Sequence, residues 1–154
     1  MRQPDAGWLS PFVVSSPHSG RTYPGHFMAA SGLDPLSLRK SEDCFVDELV
    51  AGAAQHGAPV LSANFPRAFC DANREPYELD PKLFREPLPA YATTHTPRVM
   101  GGLGTIARVV SEAEPIYRRA PRLDDCLIRI ERLHHPYHAA LTRLRDAAQA
   151  THGV

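Results

Sequence analysis

The chain has 154 residues, enough for one domain around one hydrophobic core, and its 43% apolar and 22% charged content excludes a disordered polymer. Seventeen basic and 17 acidic residues cancel, which excludes the broad positive field that nucleic acid or an anionic membrane demands. The basic residues are nearly all arginine, whose planar fork suits carboxylates.

In chain order, the first residues, MRQPDAGWLSPFVV, lack the charged and apolar regions of a signal peptide. Phe12 to Ser16 is a short β-prone run closed by Pro17, read as a buried strand. His18 to Lys40 is a loop with one short helix near Leu36 to Lys40. A helix is expected over 41–57, where Phe45, Leu49 and Ala53 recur at helical spacing, Ser41 or Asp43 can cap the start and Gly57 supplies a stop. Pro59 to Asn64 reads as a second strand, so the order strand, helix, strand predicts a βαβ unit with a parallel sheet. Arg67 to Arg74 begins extended and then turns. Residues 75–99 are proline-rich and irregular, a loop of the length often given to function. Residues 101–110 form a glycine-rich turn running into a β-prone stretch. Finally, Leu127, Ile130, Leu133, Tyr137, Leu141, Leu144 and Ala148 draw one helical stripe, with a kink or a brief break expected at Pro136 and a stop at Gly153. No run is long and apolar enough to span a bilayer. Three widely spaced cysteines, Cys44, Cys70 and Cys126, make neither a CxxC pair nor a disulfide framework, which points to a cytoplasmic setting.

Five segments could carry chemistry. His18 lies at the end of the first strand, where ligands gather in parallel α/β sheets, although a surface-loop histidine reads the same way. Glu42 and Asp43 could join His18 on a divalent metal, or merely cap a helix. Arg67, Asp71, Asn73 and Arg74 combine acceptors, donors and a guanidinium fork in one turn, suited either to grasping a substrate carboxylate or to stabilising the turn itself. The run Gly101 to Arg108 fits neither a dinucleotide fingerprint nor a phosphate loop. In His134 to His138 no HExxH pattern occurs; Tyr137 falls on the apolar stripe, and His138, offset from it, can reach a site or a solvated edge.

Taken together, SPHSGRTYP, SEDCFVDEL, PRAFCDANREPYELDP, GGLGTIARV and RLHHPYHAAL, in that order from about Phe12 to about Gly153, resemble the N-terminal half of N-formylglutamate amidohydrolases. The resemblance implies a three-layer α/β/α fold with a mostly parallel or mixed sheet, related to zinc carboxypeptidases and phosphorylase/hydrolase-like proteins. It implies hydrolysis of an N-formyl or N-acyl amino acid such as N-formyl-L-glutamate, with a divalent metal, zinc by expectation. His18 and Asp43 match metal positions; Asn73, Arg74 and Arg108 match substrate positions, joined by Arg67 and His138. Ala107 and Ala72 depart from the family, which more often has proline and a larger apolar residue there. In the family a later Asp-Cys-His-Ser-like segment completes the metal site, and the general base is expected beyond Val154. The 154 residues are therefore expected to be one α/β domain, the N-terminal part of a larger catalytic domain. As alternatives, His95, His134 or His138 substitutes as third ligand, or the chain is an inactive fragment or interaction module that pairs with a complementing C-terminal chain. An uncovered sheet edge and apolar face would favour self-association.

Overall fold

The computed structural model describes residues 1, 2 and 7–153; residues 3–6 of the N-terminal run and the final Val154 lie outside the described residues. Two strands, β1 (Val14–Ser16) and β2 (Val60–Ser62), pair in parallel with Val14 opposite Val60 and Ser16 opposite Ser62. Between them run three short helices, α1 (Gly25–Ala30), α2 (Pro35–Arg39) and α3 (Val46–Leu49), and a 3₁₀ segment over Ala51–His56. After β2 come α4 (Pro97–Met100), α5 (Leu123–Arg129), a π-turn over Ile130–His134, and α6 (His135–His152). The molecule is thus a compact α/β fold with a small parallel sheet. On the far edge of β2, Arg2 makes an antiparallel bridge to Val60.

Alternation and stripe explain the packing. Leu61 and Ala63 of the β2 region meet Ala72, Tyr137 and Leu144, so the apolar face of α6 covers the strand pair. A second cluster joins Phe27, Leu38, Phe69, Val110 and Ile116, and a third joins Leu79, Leu83, Phe84, Ile106, Leu123 and Ile130. Every residue of the expected stripe from Leu127 to Ala148 is buried or half-buried.

Several local expectations need correction. The first strand is shorter than 12–16 and not wholly buried: its ladder begins where the Val14 amide meets the Pro59 carbonyl, and Phe12 is 72% exposed. The loop after His18 also holds α1, seeded by Pro24, whose fixed φ suits a helix start. The helix expected over 41–57 is two short pieces. Phe45 takes φ 61°, a left-handed conformation that breaks α-geometry, and Phe45 and Leu49 are exposed. Neither Ser41 nor Asp43 caps it: Ser41 donates to the Leu38 carbonyl instead. The stretch after Gly104 forms no strand, because the Thr105 amide bonds the Glu78 carbonyl and the Thr105 carbonyl accepts from Asp71. Residues 75–99 are wrapped onto the core through Leu79, Leu83 and Phe84 and tied by bonds between Tyr77, Leu79 and Thr93. Of the kink or brief break expected at Pro136, the structure shows the break: α-geometry is interrupted by the π-turn just before it, which absorbs the missing amide donor.

Gly20 and Gly104 mark close approaches: an added methyl would collide with the Phe65 carbonyl at the first and the Glu78 carbonyl at the second. Gly20→Ala should therefore lower stability by about 1–3 kcal/mol, the usual cost of overpacking. Gly52→Ala, with open space around it, should be neutral. Parallel thermal melts of the two variants check this.

Candidate functional site

Two residues past β1, His18 is only 6% exposed, and its two ring nitrogens face two different carboxylates. Nε2 lies 2.8 Å from Asp71 Oδ1. Asp71 is itself 2% exposed. Its Oδ1 also accepts from the Asn73 amide at 2.9 Å, and its Oδ2 accepts from Arg67 Nε at 3.0 Å, with Arg74 Nε at 3.7 Å. Burial pushes the Asp71 carboxyl up. The His18 hydrogen bond and charge, the Arg67 guanidinium and the Asn73 amide outweigh burial and hold it below the ordinary carboxylate range. An ionised Asp71 can only accept, so His18 Nε2 carries a proton.

With the ring neutral, the other nitrogen, Nδ1, presents a lone pair to Asp43 Oδ2 at 3.4 Å. Asp43 is held there by its own backbone amide, which donates to the His18 carbonyl at 3.1 Å. Two acceptors facing each other repel unless a cation lies between them. Ligands at about 2.0–2.2 Å on a tetrahedral ion are about 3.3–3.6 Å apart along an edge, a range that includes the observed separation. Among the described residues no group of three or more His, Cys, Asp or Glu is arranged to hold an ion.

Neighbouring Glu42, by contrast, is a structural carboxylate. Tyr23 donates its hydroxyl to Oε1 at 2.6 Å and Arg39 Nε reaches Oε2 at 3.0 Å. Burial, followed by the hydrogen bond to Glu42, raises the Tyr23 pKa. The left-handed turn at Phe45 separates this anchored pair from α3 and leaves the Asp43 carboxylate half-exposed beside His18.

The expected substrate residues divide between two clefts. One, of about 340 Å³, is lined by Asp43, Arg67, Asp71 and Leu103. The other, of about 430 Å³, is lined by Asn73, Arg74, Arg98 and His138. Arg74 is almost wholly buried: its Nε donates to the Leu103 carbonyl and Nη1 to the Asn73 carbonyl, while Nη2 has no protein partner among the described residues. Burial lowers its pKa, with Asp71 opposing. Arg108 borders neither cleft; its Nε pairs with buried Asp80 at 2.7 Å. His138 Nε2 donates to the Ala72 carbonyl and His134 Nε2 to the Arg74 carbonyl, both at 2.8 Å. The two rings stack with centroids 4.4 Å apart. These histidines therefore clamp the backbone on both sides of Asn73.

Sequence reasoning placed Asp71 with the substrate-grasping turn and missed its contact with His18. Spacing could not show it, since 53 residues separate the pair. It also missed Arg98 and the His134 clamp. The signal for the clamp was the four-residue spacing of two histidines off the apolar stripe.

With this geometry in view, comparison with known proteins is informative. Residues 10–154 match the family model for N-formylglutamate amidohydrolase. A crystal structure of N-formylglutamate amidohydrolase from Ralstonia eutropha JMP134 is similar, with a TM-score of 0.89 and 36% identity. The similarity covers 99% of this chain and 53% of that one, so the chain spans about half the length of the solved structure it matches. No curated protein matches the chain.

Asp71→Ala should cost about 3 kcal/mol or more, because it strands buried His18 and Arg67 without their carboxylate; urea denaturation measures it. Burial also lowers the His134 pKa, against the bond to Arg74. Depressed folded-state values make stability full above the unfolded pKa and lost as pH falls towards the folded one. Stability should therefore decline first below about pH 6.5, from His134, and again below about pH 3.9, from Asp71. His134→Gln, which keeps a donor for Arg74, should flatten the first decline; the urea midpoint against pH checks this.

Proposed function

The chain belongs to the N-formylglutamate amidohydrolase family, and on that footing we propose that it carries the metal-holding and substrate-holding elements of a hydrolase that cleaves the amide of N-formyl or other N-acyl amino acids, N-formyl-L-glutamate among them. The observation that carries the reading is the line Asp71, His18, Asp43: a buried carboxylate fixes the imidazole tautomer, and the free nitrogen faces a second, more exposed carboxylate. Carboxylate–histidine pairs of this kind orient metal ligands and raise their basicity.

His18 and Asp43 would hold a divalent cation, zinc being the natural choice for nitrogen and oxygen donors. Such an ion lowers the pKa of bound water towards neutrality and polarises an amide oxygen. The remaining work falls to the chain's own side chains. Asp71 keeps the proton on Nε2, so Nδ1 stays free to donate its lone pair. Arg67 uses Nε on Asp71 and stands on the cleft that Asp43 also borders, where its terminal nitrogens can take a substrate carboxylate in a fork. Arg74 Nη2, buried without a protein partner, and Asn73 offer further donors in the adjoining cleft, positioned by the carbonyl bonds of His134 and His138. His138 supports substrate binding through that backbone. Arg108, fixed by Asp80, shapes the glycine turn under Leu103 rather than reaching the first cleft. The resemblance assigns the third metal ligand to the family's Asp-Cys-His-Ser-like segment, which has no counterpart in the 154 residues, and the general base to a carboxylate outside them as well.

The same reading extends to architecture. β1 and β2 are two strands of a three-layer α/β/α domain related to the zinc carboxypeptidases, with the site at their carboxyl ends, as parallel sheets favour. The 154 residues form the N-terminal part of that domain. Three free cysteines, two of them buried, fit a cytoplasmic protein, and no helix among the described residues is long and apolar enough to cross a membrane.

Zinc titration and formate release from N-formyl-L-glutamate test the proposal. Zinc should bind one per chain, and His18→Ala and Asp43→Ala should each weaken it at least about 10-fold, Asp71→Asn by about 10–100-fold as a supporting residue. Zinc affinity and formate release that are untouched by His18→Ala would overturn the ligand assignment.

A further inference from the structure

Arg129 is a charged side chain in an aromatic nest. It is 9% exposed, and its guanidinium lies 4.2 Å from the Phe69 ring centroid, 5.8 Å from Phe27 and 5.9 Å from Tyr117. Nη1 donates to the Tyr117 hydroxyl at 2.7 Å. No carboxylate pairs with it among the described residues. Burying a guanidinium without a counter-charge is costly, and aromatic faces return only part of that cost. None of its nitrogens is both sealed from solvent and unpartnered, so the donors that Tyr117 leaves unused open to the surface.

They open onto a basic hollow. A depression of about 550 Å³ is lined by Arg129, His26, Arg118, Arg119 and Arg122, with Asp125 as its one carboxylate. A second depression, of about 390 Å³, shares Arg129, His26 and Asp125. Arg122 also contacts exposed Asp124 at 3.5 Å, which leaves Arg118, Arg119 and Arg129 without a protein carboxylate among the described residues. This concentration of arginine is local, since the chain as a whole carries 17 basic and 17 acidic residues.

We propose that this hollow is a binding site for a small oxyanion bearing two or more negative charges, of the phosphate or dicarboxylate kind. One charged group docks on the fork of Arg129. A second is met by Arg118, Arg119 and Arg122 at the rim. The bound anion supplies the counter-charge that the fold withholds from Arg129, and the aromatic nest holds the guanidinium in one orientation to receive it. The site is separate from His18 and Asp43, and it does not depend on the hydrolase reading. The shelf beneath the guanidinium is Phe69, two residues before Asp71.

Isothermal titration at constant ionic strength tests the site, with pyrophosphate, inorganic phosphate and succinate as separate probes. Saturable binding of one anion per chain is expected, and the stronger probe identifies a phosphoryl or a carboxylate ligand. Arg118→Ala with Arg122→Ala should weaken it about 10-fold, Arg129→Lys should weaken it comparably by losing the fork, and Arg145→Ala, elsewhere on the surface, should leave it unchanged. The double variant alters exposed side chains only, so it decides the matter even if Arg129 variants fail to fold. Unsaturable heats with all three probes, or equal affinity in the double variant, would refute the site.

Discussion

The hydrogen bond between His18 Nε2 and Asp71 Oδ1 joins the tip of β1 to the segment that follows β2. Most of the surrounding geometry converges on its acceptor. Arg67 and Asn73 fix the Asp71 carboxylate from one side, Thr105 receives its amide, and the carbonyls just after it are gripped by His134 of the π-turn and His138 of α6. A buried carboxylate is tolerable only when its lone pairs are filled by good donors. Here they are filled from two stretches, His18 beyond β1 and the turn from Arg67 to Asn73, so satisfying one charge also fixes these two stretches against each other.

This economy matters because regular structure is sparse. Two three-residue strands cannot define a core by themselves. Rigidity comes instead from loops pinned through buried polar groups. Glu42 holds Tyr23 and Arg39; Asp80 holds Arg108; Thr105 ties Glu75, Glu78 and Asp71 together. Each pairing also selects which residues stay available. Glu42 and Arg108 are taken up within the protein, whereas Asp43 and Arg67 remain on an open cleft.

What could be read from the residues alone follows the range of the forces concerned. The parallel strand pair and the apolar stripe of α6 are local periodicities, and both were legible. His18 and Asp43 were legible as a pair through the order of five segments, not through any spacing rule. The break at Phe45 was not, because it follows from a backbone bond between Asp43 and His18 that local helix propensity cannot register. The same holds for Asp71, whose partner lies 53 residues away. Residues 75–99 read as an irregular loop and are one as far as α4, yet their buried leucines and Phe84 make them part of the core, which proline content conceals.

The π-turn over Ile130–His134 inserts surplus backbone into an otherwise helical rod. A turn closed by i→i+5 bonds takes in one more residue than an α turn, so the parts before and after it keep nearly the same facing despite the surplus. The aromatic nest of Arg129 lies on one side of the insertion, and the carbonyl bonds made by His138 and the Leu144 contact with Leu61 on the other. The bulge is therefore where the rod hides a spare residue, leaving both sets of contacts aligned.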